Sequence, residues 1–188
     1  MVSYRRAYQP NGCYWLSLRQ VDCSRSYFLD NIKLLEKSVT DSLCRHPGIM
    51  QAMVVLPNQL QMMILFPFDD DRHSSFVRML KRQFSNHLSN ICAIRSFNPK
   101  QLQSVWQDGF ECSLMNDSLQ WQHCIDQLHY APVRLGLVND VKSWQYSSFH
   151  QYVQEGILES DWPNSAQAEP RHVEIMPDFS LWRFNPNY

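Results

Sequence analysis

The sequence carries little charge and little glycine for its length. Only 19% of the 188 residues are charged and only 5 are glycine, whereas an average globular domain has about 25% charged residues. The formal net charge is −1. This excludes a globally basic DNA-binding protein, so any DNA contact must come from a local basic patch. Apolar residues make up 44% of the chain, which excludes a disordered or low-complexity protein.

The sequence also lacks long apolar runs and paired cysteines. The longest runs, 52–57 and 62–68, are too short to cross a bilayer, and the first residues do not contain the apolar segment of a secretory signal. We therefore expect a cytoplasmic protein with reduced cysteines. None of the 6 cysteines lies in a C-x-x-C pair. A zinc site is conceivable, but its candidate ligands match no usual zinc spacing: Cys112, His123, Cys124 and His129.

The pattern of apolar residues and turn signals predicts the element order β-α-β-β-α-β-α. This is the order of an α+β, ferredoxin-like split βαβ fold, in which an antiparallel sheet carries its helices mainly on one face. Residues 90–103 are predicted as a loop, and 163–188 as a C-terminal tail following a domain of residues 1–162. The predicted elements are a strand over 14–21, a helix opened by Asp30 and ended at 46–48, a strand hairpin around Pro57-Asn58, a helix over 74–87, strand-like pieces in 105–114, and a helix from Asn116 or Asp117 to Tyr130.

Several segments, in this order, carry a resemblance to one family. They are YRRAYQPNGCYWLSL, NIKLLEKSV, QAMVVLPNQLQMMILFP, LKRQFS, VWQDGF, HYAPVRLGLV and WQYSSFHQYVQEG followed by DW, and they span 4–162. The chain resembles the REP-associated tyrosine transposases, which belong to the single-tyrosine transposases of small bacterial insertion sequences. The resemblance implies enzymes that cut and join single-stranded DNA next to hairpins.

The family's chemistry, as the resemblance implies it, uses a metal and a tyrosine. A histidine-hydrophobe-histidine pair on a strand holds a divalent metal, Mg²⁺ or Mn²⁺, which acts as a Lewis acid on the phosphate. A tyrosine on a helix attacks the phosphate and forms a covalent phosphotyrosine. An amide or carboxylate one helical turn later completes the metal site.

This sequence departs from the family pattern at each of those positions. Gln59 and Gln61 stand where the pattern has its two histidines, Gln127 replaces the tyrosine, and Ala131 replaces the metal-binding asparagine. A glutamine amide is a neutral, weak metal ligand, and it is not a competent nucleophile. The sequence therefore predicts no metal cofactor and a protein that has lost catalysis.

Two alternatives stay open beside this hypothesis. Tyr130 lies three residues after Gln127 and is a possible substitute nucleophile for an active nuclease or strand-transferase, although it points from a neighbouring helix face. His129 is a less favoured candidate base or ligand. The other alternative is a structural or partner-binding remnant with no DNA role.

Retained DNA binding would depend on basic and aromatic side chains. We expect a monomer that binds single-stranded or hairpin DNA, with lysine and arginine neutralising phosphates and aromatic rings stacking on unpaired bases. Taken alone, a basic helix face is more often only a solvated surface. The predicted DNA-binding residues are Tyr4, Arg5, Arg6, Arg78, Lys81, Arg82 and Arg134.

Overall fold

A computed structural model describes residues 12–66, 72–94 and 105–163 of the chain. Its centre is a 4-stranded antiparallel sheet with the strand order β2-β3-β1-β4. This order is the one expected for the ferredoxin-like arrangement, so the predicted fold class is confirmed. The strands are β1 (Gly12–Arg19), β2 (Ile49–Val55), β3 (Gln59–Phe66) and β4 (Glu111–Met115).

The helices follow the predicted order, but several of their ends differ from the prediction. The prediction that Asp30 opens a helix is wrong, because Asp30 ends a short first helix and Asn31 separates it from the next. The third helix reaches Ile94, so the start of the predicted 90–103 loop is helical, and residues 95–104 lie outside the described ranges. The helices are α1 (Tyr27–Asp30), α2 (Ile32–Arg45), α3 (Arg72–Ile94), α4 (Ser118–Arg134) and α5 (Phe149–Gln154).

Helices cover both faces of the sheet, whereas the sequence predicted them mainly on one face. Tyr14 of β1 stacks on His73 of α3, with ring centroids 4.5 Å apart, and α2 packs against α3. The adjacent Cys13 interacts instead with Trp121 and Cys124 of α4. Because neighbouring strand residues point to opposite faces, α2 and α3 lie on one face of the sheet and α4 lies on the other.

Helix α4 continues past the point where the sequence predicted its end. Asp117 is its N-cap, as one of the two predicted candidates, and its carboxylate accepts from the Gln120 N–H at 2.8 Å. Pro132 lies inside the helix, which ends at Arg134 and is followed by the C-cap Leu135 and by Gly136, whose φ is +68°. The Leu137 N–H donates to the Pro132 carbonyl at 3.0 Å, a backbone bond typical of a glycine-terminated helix. The helix therefore gains one more turn, from residue 131 to Arg134.

The chain after α4 returns to cover the outer edge of β2. The Val55 N–H donates to the Tyr146 carbonyl at 2.9 Å, and the Ser148 N–H donates to the Met53 carbonyl at 2.8 Å. The Trp144 indole N–H donates to the Val55 carbonyl at 3.0 Å. An uncovered sheet edge can pair with other chains. This segment covers the edge of β2, and the same hydrogen bonds hold the residues that follow α4 in place. Within the described residues, no helix is long and apolar enough to cross a membrane.

Candidate nucleic-acid site

Gln59 and Gln61 lie side by side on the face of the sheet that α4 covers. In the β1–β3 register, Gln61 pairs with Ser17 and Gln59 pairs with Arg19. These four residues lie on the same face of the sheet as Cys13, because side chains along a strand alternate between its two faces. The Gln59 amide donates to the Ser17 hydroxyl at 2.8 Å. The structure thus forms a polar row, made of Ser17, Gln59 and Gln61, beneath α4.

The polar row does not fit a divalent metal. Gln61 is 6% exposed, and it and Gln59 offer only neutral amides, which hold hard cations weakly. The nearby carboxylate of Glu111 is engaged at 3.4 Å by the Arg19 guanidinium. Nowhere in the described residues do three or more His, Cys, Asp or Glu side chains come together in a way that could hold a metal. The four conceivable zinc ligands therefore do not form such a group. One of them, His129, is buried and forms a hydrogen bond with the Ser148 hydroxyl.

The sequence resemblance predicts that Gln127 and Ala131 of α4 stand at the positions of the family's tyrosine and metal-binding asparagine, and the structure shows the surroundings of both. Gln127 is exposed, and its side-chain oxygen accepts a hydrogen bond from the Arg134 guanidinium at 2.5 Å. Ala131 is 0% exposed and belongs to the core, so the position of the metal-binding asparagine packs against other side chains. The helix therefore presents an arginine–amide pair where a nucleophile and a metal ligand would stand.

Tyr130 does not take the place of Gln127. Three residues along a helix correspond to a rise of about 4.5 Å and a rotation about 60° short of a full turn. The Tyr130 side chain is 40% exposed and lines a separate pocket together with Val133. The phenol consequently faces different surroundings from the Gln127–Arg134 pair.

The predicted basic residues do not converge on one surface. Arg78, Lys81 and Arg82 are on α3, across the sheet from the polar row, while Arg134 is on α4. Arg78 is exposed, and the Arg82 guanidinium lies 3.0 Å from the Met79 sulfur. Tyr4, Arg5 and Arg6 lie outside the described residues. Their roles in DNA binding stay predictions.

Lys81 is held by the chain that leads into β4. Its ammonium donates to the carbonyls of Gln107 at 2.8 Å and Gly109 at 2.5 Å, and it lies 5.9 Å from the centre of the Trp106 ring. Partial burial lowers the pKa of Lys81 below its usual value, and the nearby Asp108 opposes that shift. These contacts give Lys81 a structural role in fixing the loop before β4.

Two known proteins are similar to this chain in sequence. A REP-associated tyrosine transposase of Haemophilus influenzae is 30% identical over 166 residues, covering 86% of this chain and 93% of that protein. The REP-associated tyrosine transposase of Escherichia coli is 26% identical over 162 residues, covering 86% of this chain and 91% of its own. This chain belongs to the REP-associated tyrosine transposase family. No model of a known protein family matches it.

A solved structure shares the fold. It is a REP-associated tyrosine transposase bound to a REP hairpin, with a TM-score of 0.77 and 24% identity over 90% of this chain and 95% of that one. At this identity the likeness supports the fold alone. The fold of this chain is therefore that of a REP-associated tyrosine transposase, while the replacement of the family's reactive residues at positions 59, 61, 127 and 131 stays a prediction from the sequence.

Sequence reasoning missed the surroundings of Arg134 and Lys81 and the pocket beside Tyr130. Arg134 and Gln127 are two turns apart on one helix face, and this spacing of seven residues is a signal that could have suggested their contact. The partners of Lys81 are backbone carbonyls, which leave no trace in residue type. The pocket joins residues from three separate stretches of chain, so no local pattern marks it.

Two substitutions test whether Lys81 has a structural role or contacts DNA. Lys81→Met is expected to lower the free energy of unfolding by about 1 kcal/mol, because charge-assisted hydrogen bonds to carbonyls are lost, and to change hairpin affinity little. Arg78→Ala is expected to leave stability within about 0.5 kcal/mol. Urea unfolding and hairpin titrations of both variants measure this. Weaker DNA binding by Lys81→Met at unchanged stability would instead support a DNA contact.

Proposed function

We propose that this protein binds hairpin or single-stranded repeat DNA without cutting or joining it. The observation that carries this proposal is the polar row beneath α4, where amides replace the metal ligands in a fold that is otherwise that of the family. Gln59 is bonded to Ser17, and Gln127 is bonded to Arg134. The replaced side chains thus have stable partners within the protein.

The loss of chemistry follows from the atoms present. A phosphotyrosine requires a phenolate nucleophile, and Gln127 offers an amide whose nitrogen lone pair is delocalised into the carbonyl. Ala131 has no donor atom and is fully buried. Without a metal, the developing negative charge on the phosphate would also lose its Lewis acid. Positions 59, 61, 127 and 131 therefore supply neither the nucleophile nor the metal ligands of the reaction.

DNA binding requires neither the nucleophile nor the metal ligands, and other features of the chain support it. The relative with the same fold is bound to a REP hairpin, and this chain shares that fold over 90% of its length. Arg134 presents a guanidinium beside Gln127, where it can neutralise a phosphate of a strand crossing α4. A net charge of −1 does not oppose this, since phosphate contacts are local.

One observation favours a second candidate, an enzyme that uses Tyr130. Its side chain is 40% exposed and lines a pocket next to the replaced nucleophile. Against it, the described residues that line this pocket include no imidazole, so a base of neutral pKa is missing there. A covalent protein–DNA adduct that disappears in Tyr130→Phe would establish this candidate.

A gel-shift experiment tests the binding proposal. Labelled REP-type hairpin and a random single strand of equal length are titrated with the full chain in moderate salt with EDTA. We expect at least a roughly tenfold preference for the hairpin, equivalent to about 1.4 kcal/mol. Equal affinity for both DNAs would overturn the proposal, and binding to neither DNA would favour the remnant without a DNA role.

Two matched variants test whether Arg134 contacts the DNA. Arg134→Ala is expected to weaken hairpin binding about two- to tenfold and to reduce the dependence on salt, because one phosphate contact is lost. Lys33→Ala, which removes an exposed charge from α2, is the control and should bind as the unchanged protein does. If both variants bind alike, Arg134 does not contact the DNA.

A further inference from the structure

Three sulfur-bearing side chains lie together where β1 and β4 meet the first half of α4. Cys13 of β1 is the register partner of Met115 of β4, so both side chains are on one face of the sheet, with Cβ atoms about 5 Å apart. Cys13 is 8% exposed and interacts with Cys124 of the helix above. Met115 and Cys124 are half-buried and pack against the core. We call Cys13, Met115 and Cys124 the sulfur cluster.

The sulfur cluster consists of two free thiols and one thioether. Among the described residues, no third cysteine, histidine or carboxylate joins the two thiols. Cys112 of β4 is displaced from Met115 by an odd number of residues, so it faces the opposite side of the sheet. His123 directly precedes Cys124 but is exposed. A ligand of this cluster is therefore one that sulfur alone can hold.

A buried indole N–H lies beside the cluster. Trp121 is on α4 three residues before Cys124, nearly one helical turn, so the two side chains are neighbours on the helix surface. The indole interacts with Cys13, yet its N–H is buried and forms no well-aligned hydrogen bond within the described residues. A neutral thiol is a weak acceptor, whereas a metal-bound thiolate commonly accepts hydrogen bonds from its surroundings. The unpaired donor therefore favours a ligand that converts Cys13 into a thiolate.

The protonation of the two thiols narrows the class of ligand. Burial raises the pKa of Cys13 to about 12, and it also raises the pKa of Cys124. Both groups are therefore neutral at neutral pH and poor nucleophiles, which disfavours a reactive thiol pair. A metal ion that bonds to sulfur displaces such protons. Thiolate and thioether ligands together select soft Cu(I), whereas structural zinc takes its ligands from cysteine, histidine and carboxylate side chains.

We propose that the sulfur cluster binds one Cu(I) ion, held by the Cys13 and Cys124 sulfurs with Met115 as the third ligand. Each thiol that binds gives its proton to solvent as its Cu–S bond forms, so no oxidant or reductant takes part. The Trp121 N–H then donates to the Cys13 thiolate. The ion joins β1 and β4 to α4 and stabilises the folded state by mass action. The proposed DNA binding uses none of these side chains, so this site goes beyond that function.

Competition with bicinchoninate, a coloured Cu(I) chelator, tests the site on the reduced full chain under argon with ascorbate. We expect the chain to take a single equivalent of Cu(I) from the chelator, to release protons, and to gain about 5 °C or more in Tm. Cys124→Ser is expected to weaken Cu(I) binding about a hundredfold or more, because loss of an outer partner of a metal ligand alone costs about 10–100-fold. Met115→Leu keeps the apolar volume and should weaken binding less, by about tenfold.

Cys44→Ser is the matched control, because Cys44 is an exposed thiol on α2, and it should leave both the affinity and the gain in Tm unchanged. Equal Cu(I) uptake by Cys124→Ser and Cys44→Ser would reveal binding by surface thiols and overturn the inference. Tighter binding of Zn(II) than of Cu(I) would overturn it as well.

Circular dichroism verifies that each variant is folded. Should Cys124→Ser fail to fold, Met115→Leu decides, since an unchanged affinity in that variant contradicts a thioether ligand. Hairpin titrations run in parallel keep the two proposals apart. Absent hairpin binding with Cu(I) uptake intact defeats only the proposed function, and absent Cu(I) uptake with hairpin binding intact defeats only this inference.

Discussion

Hairpin DNA incubated with this protein and Mn²⁺ is expected to remain uncut and free of covalently bound protein. The nucleophile and the metal site act as a unit, and removing a nucleophile in such units lowers the catalysed rate by on the order of a millionfold. Under the proposed function, Gln127 stands in place of the nucleophile, and Gln59 and Gln61 stand in place of metal ligands. Denaturing gels of end-labelled hairpin show both the cleavage product and any adduct.

A parallel reaction with the Escherichia coli relative is the positive control for this experiment. Tyr130→Phe should behave as the unchanged chain does, since that phenol lies on a different helix face from Gln127. An adduct formed by the unchanged chain and lost in Tyr130→Phe would contradict the proposed loss of catalysis. An adduct that survives Tyr130→Phe would point to another nucleophile.

Restoring the family residues meets a physical obstacle at one position. Gln127→Tyr and the pair Gln59→His and Gln61→His place new side chains at exposed or strand positions. Ala131→Asn, in contrast, puts an amide into a site with 0% exposure, where added volume typically costs about 1–3 kcal/mol. Under the proposed function, reversion at positions 59, 61 and 127 alone therefore leaves the metal site incomplete.

The strand that carries Gln59 and Gln61 was predictable because strand geometry is simple. An alternation of period two places Gln59 and Gln61 on one face, and the short link after Val55 predicts an antiparallel hairpin. The structure has both features. What the sequence could not indicate is that Gln59 would bond to Ser17 of β1, since cross-strand partners depend on the register between distant segments.

The end of α4 was harder to predict because two local rules compete there. Proline usually ends a helix, as the lost N–H and the ring disfavour the preceding turn. Gly136 and the backbone bond from Leu137 to Pro132 stabilise one further turn instead. That turn carries Arg134, so the contact between Arg134 and Gln127 depends on a helix end that residue type alone places too early.

The second large effect is expected from a hydroxyl that joins α4 to the edge of the sheet. Ser148 accepts a hydrogen bond from the Met53 N–H at 3.0 Å, and its oxygen lies 2.9 Å from the His129 ring nitrogen Nε2. All of these groups are buried, so removing the hydroxyl leaves two polar atoms without this partner. Each such loss costs about 1–3 kcal/mol, and Ser148→Ala is expected to lower the free energy of unfolding by about 2–5 kcal/mol.

Chemical denaturation measures this effect, and Ser143→Ala is its matched control. Ser143 is exposed in the turn Val141–Ser143, so its loss should change stability by less than about 0.5 kcal/mol. Because Ser148 ties the chain after α4 to β2, its loss should also loosen the pocket beside Tyr130. Amide hydrogen exchange in Ser148→Ala should therefore rise first in the segment 139–163, with the sheet interior still protected. Equal stability of the two variants would show that this hydroxyl does not hold α4 to the sheet.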